Sequence, residues 1–396
     1  MPAPSTKTRP SSRDSQLSNG GEAAANLPAK AEPSAPNTSH ARLISLDAFR
    51  GFTMFWIVGG KSFVMALQGL QGNEVAALVA HELSHSAWEG LRYYDVIWPS
   101  FMLMVGVSIA LSFAKHRQTQ SRRRLMTHVL KRSAVLFLLG SLRTSIELGS
   151  PTLVELSSAL QPIAIAYLIT SFLALYADSA KLQAAVGGLI LVAHALLLAL
   201  ASAPGSSGSN YEQGANIVAV VDIAVLGRTH PEGWGTVLTA VPPTATTILG
   251  LLIGQLLISG SSMHRKMAVM GLIGIGCLLA GYAMSPLVPV IMKLWTSSYG
   301  ILSAGWSCLL FLLFFWIIDA RSHRKWAFPF VVIGMNALAI YIGVSVVPVR
   351  KIVGIFSSPI GAHLGALGPL FSAFAVVAVE WMVLYWMYNR KIFIRA

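Results

Sequence analysis

The sequence predicts an all-α, polytopic integral membrane protein with about ten transmembrane helices, and three observations predict it. Of the 396 residues 54% are hydrophobic and only 11% charged, against about 25% charged in a soluble globular protein. Mean hydropathy is +0.63. Apolar runs recur along the chain, each near the roughly 20 residues a helix needs to cross hydrocarbon. Only helices or closed barrels satisfy the backbone in lipid, and these runs are too long and unbroken for barrel strands.

Residues 1–41 are rich in Ser, Pro, Ala, Asn and Gly and poor in large apolar side chains. Such a stretch cannot bury enough surface to order itself, so it is expected to be a disordered cytoplasmic tail. It has no apolar core followed by a small-residue cleavage site, and the first apolar run is left as the insertion signal. Residues 42–396 form the multi-pass domain. Its predicted spans are Ala48–Leu70, Tyr93–Ala114, Met126–Ser145, Ser157–Ala177, Leu182–Ala203, Leu238–Ile258, Met267–Met284, Tyr299–Ile318, Ala327–Val347 and Gly368–Tyr388.

Loop charges set the expected orientation. Lys115, Arg117 and Arg122–Arg124 follow the second span, Arg265 and Lys266 the sixth, Arg321, Arg324 and Lys325 the eighth, and Arg390, Lys391 and Arg395 the last. They alternate with loops poor in Lys and Arg, so the positive-inside rule puts both termini in the cytoplasm of an inner (cell) membrane protein. Arg350 and Lys351 run mildly against the pattern. A net charge of +13 would point to nucleic acid in a soluble chain, but here the excess is orientation charge and nucleic acid is set aside as a partner. The two cysteines, Cys277 and Cys308, lie inside apolar runs and read as packing residues.

Two long loops, about 71–92 and 204–237, are expected outside. With the start of the following span they carry His81, Glu82, His85, Trp88, Asp95, Asp222, His230 and Glu232. A histidine beside carboxylates has the unperturbed pKa, near 6.5, of a general base. Asp95 is placed to fix the tautomer of His85 or to offset its charge; a solvated loop histidine is the plain alternative. At the opposite end of the first span, Asp47 and Arg50 share a helix face at i, i+3 spacing. They form either a helix-end ion pair or a positive group facing a phosphate-bearing ligand. Lys61, Glu380, Asn336 and Arg143 fall within or at the ends of apolar runs, where charges face a cavity or a partner. Lys61 and Glu380 either pair or line a polar tunnel. His194 reads as a packed histidine donating to a backbone carbonyl. The His230-Pro231-Glu232-Gly233 turn suits a helix start, and Trp295 in Lys293-Leu294-Trp295-Thr296-Ser297-Ser298 suits a membrane interface. No P-loop, GxGxxG, GxSxG or zinc-spaced Cys/His set is present, so no metal is expected.

These stretches resemble the membrane acyltransferase family typified by heparan-α-glucosaminide N-acetyltransferase and its bacterial relatives. The resemblance rests on Arg42 to Gly51, on His85-Ser86-Ala87-Trp88-Glu89-Gly90-Leu91 with Asp95, Pro99 and Gly106, and on Leu160-Gln161 with Ile163, Ala164 and Tyr167. It continues through Pro231-Glu232-Gly233, Lys293 to Ser298, and Gly334-Met335-Asn336-Ala337 with Tyr341. The six stretches stand in family order from about 42 to 342. Two positions depart: Phe55-Trp56-Ile57-Val58-Gly59-Gly60-Lys61 has glycine where the family has an asparagine, a form similar to an uncharacterised bacterial subgroup, and Gln161-Pro162 replaces Gln-Arg.

The resemblance implies acetyl transfer across a membrane, from cytosolic acetyl-CoA or another acyl-CoA to an amino sugar or other envelope glycan on the far side. His85 would be the catalytic residue, oriented by Asp95. Asp47, Arg50, Gly59 and Gly60 would serve the CoA, the glycines letting its pantetheine arm approach the helix. Lys61, Trp88, Glu232, Trp295 and Asn336 would line the path of substrate. The partners are then the lipid bilayer and a glycan or other small acceptor, and a homodimer is compatible with the reading. A transporter or flippase using Lys61 and Glu380 as coupling groups, or a non-catalytic membrane scaffold, are the rivals.

Overall fold

The computed structural model describes residues 43–70, 72–156, 159–205 and 208–394. The tail expected to be disordered lies outside the described residues, as do Arg42 and Arg395. The chain is a bundle of helices: α1 (Ile44–Gln68), α2 (Glu74–Glu82), α3 (Ile97–His116, entered through the 3₁₀ turn Tyr93–Val96), α4 (Arg122–Leu148), α5 (Leu160–Tyr176), α6 (Ala180–Leu200) and α7 (Ile217–Leu226). They continue with α8 (Pro243–Ile258), α9 (Met263–Met284), α10 (Ser297–Phe315), α11 (Phe328–Met335), α12 (Ala337–Val346), α13 (Val349–His363) and α14 (Gly368–Asn389). Extended pairing among the described residues is limited to two isolated bridges, Glu89 with Ile291 and Ser202 with Asn216.

Helix starts follow from local chemistry. Asn73, Ser121, Ser179, Asn216 and Ser262 each accept a hydrogen bond from the backbone N–H three residues on, which satisfies one of the donors orphaned at a helix start. Gly149 and Gly227 end α4 and α7 in the left-handed conformation.

Seven helices are long and apolar enough to cross a membrane, and an eighth span is counted if α11 and α12, bent by 61° at Asn336, are taken as one. By length and composition this supports a multi-pass membrane protein, with seven to eight of the expected ten or so spans meeting that measure among the described residues. The helix α5 is apolar but only 17 residues long. In α1 the length suffices, at 25 residues, but Lys61, the Gly59-Gly60 pair and the Trp, Ser and Gln around them dilute its apolarity, and it is not among the seven.

The helices sort by burial. Of an 18-residue stretch within Tyr93–His116 67% is buried, and within Met263–Met284 only 17%, so α3, with α8 and α10, forms the centre while α6, α9 and α14 stand at the margin. Close backbone approach builds the centre. A Cβ on Gly51 of α1 would lie 1.7 Å from the Phe330 carbonyl oxygen, and one on Gly334 1.9 Å from that of Asp47. Gly106 and Gly250 do the same for α3 against α8. Lipid tails are as apolar as leucine, so helices associate here by tight contact between small residues rather than by escape from water.

Candidate functional site

The site forms where the loops after α2, α7 and α9 meet the start of α3. In the loop after α2, Gly90 takes φ +115°, which a side chain rarely tolerates; its N–H donates to the Val290 carbonyl at 2.8 Å. Beside it Glu89 bridges Ile291. These contacts clip His85–Gly90 onto the segment that leads into α10.

His85 and Asp95 come together there. The Nδ1 of His85 lies 2.8 Å from Oδ1 of Asp95, whose residue is fully buried. The other oxygen, Oδ2, accepts from the backbone N–H of Arg92 at 2.9 Å and of Ser86 at 3.3 Å. The Asp95 carbonyl accepts the phenol of Tyr299 at 2.7 Å. A carboxylate only accepts, so Nδ1 is the donor and the hydrogen sits there. Nε2 then carries the free lone pair. The His85 side chain is 39% exposed and its ring meets Tyr94 and Trp234 edge-on, with centroids 4.7 and 5.3 Å apart. A buried carboxylate, a fixed tautomer and a partly open imidazole between two aromatic rings make an arrangement that can take a proton from a nucleophile.

The surroundings hold this pair in place. The Arg92 guanidinium donates to Ser84 Oγ at 2.8 Å and to the His85 carbonyl at 2.9 Å, clamping the loop. Trp295, fully buried, sits at φ +47°; its ring meets Trp98 and Tyr299 edge-on, so packing on both sides holds an unusual backbone conformation. Trp295 thus packs in the protein interior next to Tyr299, which donates to the Asp95 carbonyl. Trp88 donates from its indole to the Tyr211 carbonyl at 3.0 Å. Glu232 accepts from the Trp234 indole at 3.1 Å, and Lys293 donates to the Glu232 carbonyl at 2.7 Å. Asp222 accepts from the Thr236 and Val237 N–H groups at 3.0 and 2.9 Å, so it anchors the loop carrying Trp234.

Other expected site residues lie elsewhere. Gly60 faces the Tyr94 ring, 2.8 Å from where a Cβ would stand, and Gly59 faces Val377 at 3.0 Å. The space these glycines open is therefore held by the chain's own side chains. Lys61 is exposed and Glu380 buried, and no ion pair joins them among the described residues. The charge acting on Glu380 is that of Arg350, whose guanidinium donates to the Val58 carbonyl at 2.9 Å. Asn336 is fully buried at the α11–α12 bend; it donates to the Ile392 carbonyl at 3.0 Å and accepts from the Ile394 N–H at 3.1 Å. It ties down the end of the described chain and does not meet the dyad. His194 contacts the Leu294 carbonyl at 3.0 Å, as a packed histidine does.

Asp47 and Arg50 lie 3.5 Å apart, and Arg50 donates to Ser108 Oγ on α3 at 2.8 Å. Ser108 is 13 residues past Asp95, about 20 Å at helical rise, so the Asp47–Arg50 pair and the His85–Asp95 pair stand at different depths of the same bundle. Sequence reasoning missed Tyr94, Arg92 and Trp234, whose roles depend on loops meeting in space. Gln161, named above only as part of the Leu160-Gln161 stretch, is fully buried; it accepts from the Leu156 N–H and donates to Ser141 Oγ and the Leu153 carbonyl.

No family model matches the chain. It is 23% identical over 385 residues to heparan-alpha-glucosaminide N-acetyltransferase of Mus musculus, an alignment covering 80% of this chain and 55% of that protein. The chain therefore spans about half the length of the curated relative it matches. The likeness supports a distant relationship to that membrane acetyltransferase and does not bear on the bacterial subgroup.

Proposed function

We propose that the chain is an acyl-CoA-dependent membrane acyltransferase in which His85 is the general base and Asp95 its positioning residue. The observation that carries this reading is the 2.8 Å contact between His85 Nδ1 and a fully buried Asp95. The distant likeness to an acetyltransferase supports the reaction class. The acceptor, an amine or hydroxyl of an amino sugar or other envelope glycan, approaches Nε2 from the outer side. As its nitrogen or oxygen attacks the thioester carbonyl, Nε2 takes the proton. A new C–N or C–O bond forms, the C–S bond breaks, and the departing CoA thiolate is protonated by the imidazolium, which restores the neutral ring. Asp95 keeps Nδ1 protonated and offsets the transient positive charge.

Arg50 and the basic residues at Lys115, Arg117 and Arg122–Arg124 supply positive potential for the CoA phosphates on the cytosolic side. Both termini share that side. The transporter reading has one observation in its favour, the bent α11–α12 pair, since discontinuous helices line transport sites. At that break, however, Asn336 is engaged by the chain's own backbone at Ile392 and Ile394. The deciding experiment is transfer of radiolabelled acetyl from acetyl-CoA by purified protein, with and without His85→Ala. Wild type should label an amino-sugar acceptor and the variant should not; equal incorporation by both would remove His85 from the reaction.

A further inference from the structure

The basic residues that run against the loop-charge pattern, Arg350 and Lys351, meet a third cation on another helix. Both lie in the first turn of α13, just after α12 ends at Val346. The Arg350 guanidinium donates to the Val58 carbonyl of α1 at 2.9 Å. A helical carbonyl points toward the residue four further on, so this contact brings Arg350 to the turn of α1 that carries Lys61. All three residues are exposed, and none forms an ion pair among the described residues. Glu380 of α14 feels the Arg350 charge, but it is buried and offsets one charge of the three from the interior. The surface is left with an excess of positive charge that only a ligand can meet.

The level of the cluster and its apolar neighbour define that ligand. Gly60, next to Lys61, faces the ring of Tyr94, which stands in the turn leading into α3. The cluster therefore lies at the ends of membrane helices, the depth at which lipid phosphates stand. From there α13 runs on with Ile352, Ile355, Phe356 and Ile360 exposed, Ile355 at 69% and Phe356 at 72%. Their i, i+3, i+4, i+8 spacing makes one outward apolar stripe, while Val353, Ser357 and Gly361 are buried on the other face. Gly361 packs there against Gly368 at the start of α14. Cations at one end and an apolar stripe leading away from them fit a molecule with both a phosphate and acyl chains. A free anion would leave the stripe unused, and an uncharged lipid would leave the cations unmet.

We propose that Lys61, Arg350 and Lys351 form a binding site for an anionic phospholipid, its phosphate held by the three cations and its acyl chains laid along the outward stripe of α13. The inference does not depend on the transfer reading of His85. Purified protein in neutral detergent is titrated with phosphatidylglycerol while Tm is followed, since a ligand of the folded state raises Tm. Wild type should gain Tm at concentrations where phosphatidylcholine and inorganic phosphate have no effect. Lys61→Gln and Lys351→Gln should each need about tenfold more phosphatidylglycerol for the same rise, the loss of one charge-assisted contact. Both positions are exposed, so the packed core is untouched. Lys181→Gln removes an equal charge from the first turn of α6, just after Asp178, the partner of Arg117 beyond the far end of α3. It should respond as wild type does. No rise in wild type with phosphatidylglycerol overturns the site, as does an equal rise with phosphatidylcholine or phosphate. An unchanged response in both cluster variants, or the same loss in Lys181→Gln, overturns it too.

Discussion

At the scale of single residues, Asp95 sets the chemistry of the dyad. Its carboxylate accepts from His85, Ser86 and Arg92, and only an acceptor-only group forces the hydrogen of His85 onto Nδ1. Asp95→Asn offers an amide that can donate as well, which permits the other tautomer. We expect kcat for acetyl transfer to fall by about 10²–10⁴-fold, the usual worth of general-base catalysis, with KM for acetyl-CoA little changed. A parallel rise in KM and loss of folded protein would instead mark Asp95 as a scaffold residue. His230 makes a second prediction. Burial lowers its pKa from the ordinary 6.5, so near that pH the unfolded chain binds more protons than the folded one, and stability falls as pH drops. The penalty is absent well above pH 6.5 and fully present below the folded-state pKa. Acidification from pH 7.5 to 5.5 should lower Tm, and by less in His230→Gln; an identical shift in both proteins would show that His230 does not contribute.

Among helices, the contact between α1 and α11 governs how the bundle closes. Gly51 stands so near the Phe330 carbonyl that a methyl group there would overlap backbone, and backbone in two packed helices cannot yield as a flexible side chain does. Gly51→Ala should therefore destabilise the protein by at least the ~1–3 kcal/mol of overpacking, read as a lower Tm in detergent. Gly188→Ala on α6, with nothing within 4 Å of its Cβ position, should be neutral or slightly stabilising through helix propensity. Equal effects of the two substitutions would dismiss the backbone contact as the cause.

These same elements show what the sequence could express. Runs such as Leu238–Ile258 and Met267–Met284 were legible because hydropathy is a local property, and the structure has helices there. The bend at Asn336 was hidden because both of its halves are apolar, and α2, α7 and α13 because short helices outside the main spans give no long hydrophobic run. His85 and Asp95 were legible as neighbours through their spacing. The partners of Gly60 and the place of Trp234 were not, since each depends on segments far apart in the chain.

For the whole molecule, the proposed reaction demands two aqueous compartments: the donor reaches the bundle from the side of Arg50, and the acceptor reaches His85 from the other. The two levels are about 20 Å apart along α3, with Arg50 held to Ser108 and His85 to Asp95. The basic residues Arg122–Arg124 begin α4 just after α3 ends at His116, so they lie past the Arg50 level, further from the dyad. Sidedness is therefore the strictest test of the arrangement. In a variant with Cys277 and Cys308 replaced by alanine, Ala87→Cys in the loop after α2 and Arg123→Cys in the first turn of α4 introduce thiols at exposed positions. A membrane-impermeant maleimide applied to sealed cells should label position 87 and leave position 123 unlabelled, and inside-out vesicles should reverse the result. Labelling of both positions from the same side would place the dyad and the basic cluster in one compartment, and transfer across the membrane would be ruled out whatever the activity of the isolated protein.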